Sequence, residues 1–188
     1  MKVWILFLLC AGIPALVGAE PPSTQYELVW SDEFKGTTLD LTKWVYRDLG
    51  PRRDGVNVQE CAQLDGEGML HLVTKKVGDA FHTAMIATQG TYETTFGYFE
   101  TRVQFQKQRG HWSAFWLQSS ALQQGVGDYR KYGTEIDIFE YPVRYPEILH
   151  FNLHWDGYGE DHKSEGCKIE DPTLPEGFHT VGLEWTPT

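Results

Sequence analysis

Positive charge is in short supply in this chain. Sixteen Lys and Arg stand against 26 Asp and Glu, a formal net charge of −10. Binding to phosphate backbones needs a basic face, so nucleic acid is excluded as a partner. Cysteine is scarcer still, with three residues. No internal repeat, low-complexity tract or heptad pattern runs through the chain, which excludes a repeat array or a coiled coil. One unbroken apolar run stands out, Val3 to Leu9, and it is too short for a membrane span.

That run has the form of an export signal. Met1-Lys2 is a short basic start, and Cys10, Ala11 and Ile13 extend the apolar segment. Val17-Gly18-Ala19 is a small-residue cleavage signal. The expectation is a signal peptide over residues 1–19 and one domain over residues 20–188. The product is then secreted or periplasmic, with no membrane attachment after cleavage. Cleavage leaves Cys61 and Cys167, which an oxidising compartment can join in one disulfide or leave as two buried thiols.

Aromatic residues and glycine are abundant. The chain holds seven Trp, nine Tyr, ten Phe and 19 Gly, and 41% of it is apolar. Its 188 residues suffice for one domain with a core and fall short of two. Aromatics and turn residues together read as all-β. Strands are expected near Tyr26–Phe34, Met69–Thr74, Ala84–Thr88, Phe99–Gln106, Trp112–Gln118, Glu135–Tyr141, Leu149–Trp155 and His179–Trp185. Helix is confined to single turns, one within Thr37–Trp44 and one within Ser119–Tyr132. Gly50–Gly55 reads as a loop. Short strands at near-regular spacing suggest a β-sandwich.

The chemistry concentrates in Glu135-Ile136-Asp137-Ile138-Phe139-Glu140. Glu135 and Asp137 are two apart and share a strand face. Glu140 has the opposite parity, and a regular strand would bury it among Ile136, Ile138 and Phe139. A carboxylate there is costly unless paired or neutralised. One extra residue at Ile138-Phe139, a β-bulge, returns Glu140 to the face of the other two acids. The strand rise then leaves roughly 5–7 Å between the outer carboxyl groups. Retaining glycosidases need about 5–5.5 Å and inverting ones about 6.5–9.5 Å, so this estimate straddles the two. Three like charges this close cannot all ionise at neutral pH, and at least one proton is held. A groove with a held proton and a free carboxylate supplies both acid and base. A solvated acidic edge is the plain alternative. A metal site built on these acids lacks the spacing of a calcium loop.

Gly133-Thr134-Glu135-Ile136-Asp137-Ile138-Phe139-Glu140 resembles the bulged active-site signature of glycoside hydrolase family 16. The resemblance extends to Trp30-Ser31-Asp32-Glu33-Phe34 with Lys43-Trp44, and to Phe96-Gly97-Tyr98-Phe99-Glu100-Thr101-Arg102. Gly110-His111-Trp112-Ser113-Ala114-Phe115-Trp116 and His179 to Trp185 complete it. It implies a jelly roll of two curved antiparallel sheets with a glycan cleft. It also implies retention, with Glu135 as nucleophile, Glu140 as acid/base, and Asp137 holding a proton beside the nucleophile. Family members usually continue past Trp185-Thr186-Pro187 into further strands, so the chain resembles a C-terminally truncated member.

Alternation assigns the remaining candidates. Trp112 and Trp116 share one face of their strand, and Phe115 and Leu117 the other. Indole rings suit the C–H face of a sugar, so the two Trp are candidate cleft residues. His150, Asn152 and His154 form a polar face, and His154 matches the family's His near the acid/base. Arg102 faces away from Val103 and Phe105 and is a candidate for a hydroxyl or a carboxylate. Asn57 lies where the family often carries a substrate-binding Asn. No cofactor is indicated, and a structural calcium ion has no motif in the sequence. The expected function is a secreted, retaining, endo-acting, monomeric hydrolase of a β-linked polysaccharide. A β-1,3- or mixed-linkage β-glucan comes first as substrate. An algal galactan (agarose, porphyran or carrageenan) is the alternative, and a non-catalytic glycan-binding jelly roll is the rival.

Overall fold

A computed structural model of the chain describes residues 1–6 and 21–187. These form two compact units: residues 1–6, 27–97 and 186–187 in the first, and residues 21–26 and 98–185 in the second.

The first unit carries short strands. β1 (Lys2–Leu6) lies beside β2 (Tyr26–Ser31), and β3 (Val45–Tyr46) comes next in the chain. β4 (Gly50–Arg52) and β5 (Gly55–Asn57) form a hairpin, so the segment read as a loop from its glycines is paired. A 3₁₀ turn, Gln59–Cys61, precedes β6 (Ala62–Leu64), which pairs with β7 (Leu70–Leu72). β8 (Lys75–Val77), β9 (Ala80–Thr83) and β10 (Ile86–Ala87) follow. The order β4-β5-β9-β8 makes one sheet, and its β5–β9 pair is parallel where the sequence suggested antiparallel sheets. The Trp30-Ser31-Asp32 motif has a local reason. Asp32 accepts from the Trp44 indole at 2.8 Å and from the Phe34 amide at 2.8 Å. Trp30 packs edge-on against Trp44 with ring centres 5.3 Å apart. The helical turn expected before Trp44 is a single turn held by Asp40, which accepts from the Thr42 amide at 2.9 Å.

Two expectations change in this unit. The leader was read as lying outside the fold, yet its start forms β1. Met1 and Asp32 exchange terminal and backbone hydrogen bonds of 3.0 and 3.1 Å, and Val3 is buried. A run of apolar and β-branched residues suits a strand as well as a signal peptide. The rest of the leader and its cleavage point lie outside the described residues. Cys61 is a buried free thiol and Cys167, in the second unit, is an exposed one, so the pair is neither a disulfide nor two buried thiols.

The second unit holds the acidic strand. β11 (Gly97–Val103) lies beside β16 (His179–Trp185). β12 (Trp112–Gln118), β13 (Glu135–Pro142), β14 (Ile148–Trp155) and β15 (Lys163–Glu170) form an antiparallel meander. One helical turn, α1 (Tyr129–Tyr132), interrupts the loop before β13, capped by Asp128. Both β13 pairings shift at Ile138-Phe139, where two residues of β13 oppose one on each neighbour. Ile138 and Phe139 are both buried, so the bulge turns two successive apolar side chains inward. Phe105 stacks on Tyr141 with ring centres 4.4 Å apart and meets Phe139 edge-on at 5.2 Å. Tyr141 is fully buried, and its hydroxyl donates to the Pro146 carbonyl at 2.7 Å. β15 was not legible in the sequence. Every residue in it is exposed, and its Lys and Glu suit a guarded sheet edge.

Phe139→Ala is expected to destabilise the fold by about 3–5 kcal/mol through the cavity it leaves. Lys168→Ala on the exposed edge should change stability by no more than about 0.5 kcal/mol. Urea denaturation of both variants checks the contrast.

Candidate active site

Residues directly opposite one another in a sheet share a face. On one side of β13, Glu135 faces Gln118, Asp137 faces Trp116 and Glu140 faces Ala114. On the other side, the same acids face His154, Asn152 and His150. The bulge therefore gathers three acids, Trp116, Gln118 and the polar face of β14 on one surface. Trp112 is opposite Pro142, at the end of the same face.

Each outer acid has its own pair of donors. Tyr158 Oη and Gln118 Nε2 both donate to Glu135 Oε2, the latter at 2.6 Å. Gln118 also donates to Tyr158 Oη at 2.8 Å. Glu135 Oε1 is left without a hydrogen bond among the described residues. Trp112 Nε1 donates to Glu140 Oε1 at 3.0 Å, and Asn152 Nδ2 donates to Glu140 Oε2 at 2.5 Å. Burial first, the hydrogen bond to Glu135 second and the charge of Glu135 third hold the Tyr158 phenol well above its usual range, so it remains a donor. Gly166 on β15 faces Asn152, and a Cβ there would collide with the Asn152 side-chain oxygen. The glycine leaves room for the amide that positions Glu140.

Asp137 is the crowded member, with 5% of its surface exposed. Burial raises its pKa to about 7, with the charges of Glu140 and then Glu135 adding to the rise. His154 Nε2 comes within 3.1 Å of Asp137 Oδ2, yet that oxygen makes no aligned hydrogen bond. Behind it, His154 Nδ1 lies 3.0 Å from His162 Nε2, and the two rings stack. Glu135, Asp137 and His154 each bring one ligand atom within 4.8 Å of the others. Those three residues are the group here that could hold a cation.

Two cavities of about 400 Å³ adjoin this face. One, at the Glu135 end, is lined by Tyr158, Gln123, Asp156, Glu160 and Asp161. The other, at the Glu140 end, surrounds Trp112. Trp112 is 63% exposed despite its hydrogen bond to Glu140, whereas Trp116 is half-buried.

The structure thus brings Glu135, Asp137, Glu140, Trp112, Trp116 and His154 together. It does not bring Arg102 to them. Alternation gave Arg102 a face but not a sheet, and β11 pairs with β16, outside the β12–β15 meander. Its guanidinium lies 3.8 Å above the Phe178 ring. Asn57 belongs to the first unit, where it is buried and donates to the Arg47 carbonyl at 3.4 Å. Sequence reasoning missed Gln118, Tyr158 and His162. Gln118 was discoverable, since it shares the Trp112–Trp116 face and precedes the loop to Glu135. Tyr158 and His162 sit in the β14–β15 loop, where no periodicity marks them.

Comparison with known proteins places this site in a family. The profile of glycosyl hydrolases family 16 matches residues 25–188. A beta-glucanase of Rhodothermus marinus is 32% identical over 174 residues, covering 86% of this chain and 60% of that protein. A keratan-sulfate endo-1,4-beta-galactosidase of Sphingobacterium multivorum is 31% identical over 140 residues, covering 70% of this chain and 32% of that protein. The chain therefore spans less than two thirds of the length of either relative. The solved laminarinase of Rhodothermus marinus superposes with a TM-score of 0.70 at 30% identity, over 86% of this chain and 68% of that one. The fold shared with it is the all-β jelly roll that the sequence implied. A profile match over nearly the whole chain, with the same fold in a solved relative, makes this chain a member of glycosyl hydrolases family 16.

Proposed function

We propose that the chain is the catalytic part of a secreted, retaining endo-glycoside hydrolase acting on a β-linked polysaccharide. The observation that carries this reading is the bulged strand, which sets Glu135 and Glu140 on one face with separate donors and a crowded Asp137 between them. Export rests on the apolar leader and the small residues before Glu20. A β-1,3- or mixed-linkage β-glucan comes first as substrate and a galactan second, an order supported by relatives named as glucan endo-1,3-beta-glucosidase, endo-1,3-1,4-beta-glycanase and keratan-sulfate endo-1,4-beta-galactosidase.

In this reading each residue has a task. Oε1 of Glu135 is free to attack the anomeric carbon, while Tyr158 and Gln118 hold Oε2. Glu140 delivers a proton to the glycosidic oxygen as the bond to the leaving sugar breaks, and Glu135 becomes esterified to the retained sugar. Glu140 then takes a proton from water. The water oxygen bonds to the anomeric carbon, and the carboxylate of Glu135 departs. Asp137 keeps its proton up to neutral pH, so the attacking carboxylate of Glu135 works beside a neutral neighbour instead of a like charge. Trp112 orients Glu140 and presents its exposed ring to a sugar.

Four outcomes are expected. Among laminarin, lichenan, agarose and carrageenan, at least one polymer is cut internally, shown by a fall in chain length ahead of monosaccharide release. Binding to them without cleavage of any would sink the hydrolase reading. Glu135→Gln should lower kcat by about a thousand-fold or more, as loss of a covalent catalyst does. Gly166→Ala should lower kcat about ten-fold by displacing Asn152, with the melting temperature checking that the fold survives.

The fourth is a pH dependence. Asp137 ionises at 3.8 in the unfolded reference and at about 7 when folded. The folded chain holds a proton that the unfolded chain has released, so this group's contribution is full below 3.8 and lost as pH rises towards about 7. Asp137→Asn should therefore lose less stability than the parent between those pH values. Denaturant midpoints at several pH values measure it, and parallel profiles would contradict the shift.

A further inference from the structure

The ladder between β12 and β13 ends at Trp112 and Pro142. Just beyond, the Val143 amide donates to the His111 carbonyl at 3.2 Å. That bond sets the segments after Gly110 and after Pro142 side by side. The cavity of about 400 Å³ at the Glu140 end opens between them, lined by Arg109, His111, Trp112, Val143 and Arg144.

This end of the site is basic in a chain whose net charge is −10. Arg109 and Arg144 are exposed, and among the described residues no carboxylate lies within ion-pair distance of either. Arg144 keeps its guanidinium 5.4 Å from the centre of the Tyr145 ring. Elsewhere in this unit Lys107 pairs with Glu176 at 2.7 Å and Lys163 pairs with Asp156, whereas Lys168, opposite His150, has no ion pair among the described residues. The same cavity is lined by the Trp112 indole, which is 63% exposed and bonded to Glu140. A guanidinium fork matches the oxygens of a carboxylate or sulfate, and an indole matches a sugar ring. The cavity at the Glu135 end has the opposite sign, with Glu160 and Asp161 on its wall.

We propose that the Arg109–Trp112–Arg144 cavity binds an oxyanion substituent, a sulfate ester or a carboxylate, carried by the sugar on the leaving side of the cleaved bond. The side of the bond rests on the hydrolase reading above. Attack from Glu135 is in line with the breaking bond, so the leaving sugar lies on the side of Glu140, where Trp112 and the two arginines stand. The acidic cavity at the other end repels the same substituent, and the two ends together set the direction in which an anionic glycan threads the site.

Binding and turnover are measured separately. Dissociation constants are determined calorimetrically for Glu135→Gln with laminarin, sulfated laminarin and carboxymethyl-laminarin, and with agarose and porphyran oligosaccharides as a second matched pair. At least one charged form should bind about ten-fold tighter than its neutral counterpart. Adding Arg109→Gln and Arg144→Gln should abolish that preference, whereas adding Lys75→Gln and Lys76→Gln, on exposed β8, should keep it. A preference for the sulfated or for the carboxymethylated form identifies the substituent. Equal affinities, or a preference that survives loss of both arginines, would overturn the proposal. If the charged forms bind through the arginines and the parent chain cuts none of the polymers, the anion site stands and the hydrolase reading fails.

Discussion

The molecule turns on the crowding of three carboxylates on one strand face. Water keeps such groups apart cheaply, and a half-buried sheet does not. The bulge at Ile138-Phe139 creates the crowding by turning two apolar residues inward and bringing Glu140 round to join Glu135 and Asp137. The surroundings then divide the roles. Glu135 and Glu140 each receive two side-chain donors, while Asp137, buried between them, is left to hold a proton. Similar side chains acquire different tasks from environment alone.

The rest of the second unit serves that face. Phe105, Phe139 and Tyr141 form the packed layer behind it, so the strand cannot slip back into regular register without exposing aromatic surface. β14 supplies the amide and the imidazole that reach across to the acids. β15 contributes by having no side chain at Gly166, where any Cβ would meet Asn152. Beyond the acids, the face ends in two cavities, one lined by Arg109 and Arg144 and the other by Glu160 and Asp161.

Much of this was legible in the sequence, and the reasons are specific. The odd spacing of Glu140 from Glu135 is incompatible with a regular strand and so announced the bulge. The alternation of Trp112, Trp116, Phe115 and Leu117 gave the correct faces for β12, and His179–Trp185 formed where its pattern placed it. Other features left no trace. β15 is exposed at every position, so nothing apolar alternates along it. Tyr158 and His162 reach the site from a loop, where sequence offers no face to read. Arg102 shows the limit of alternation, which tells which side of a strand a residue takes but not which sheet the strand joins. The family resemblance implied roles for the acids, while the donors around them are visible only in the fold.

The central claim is that Glu135 forms a covalent bond to the sugar while Glu140 moves the proton. Its most direct test is to trap that bond with an activated 2-deoxy-2-fluoro glucan or galactan oligosaccharide, and to locate the label by peptide mass spectrometry. The account predicts one glycosyl unit per chain, attached at Glu135, with the label released when an acceptor sugar is added. A label on Glu140 or Asp137, or steady turnover with inversion at the anomeric carbon and no trapped adduct, would contradict it.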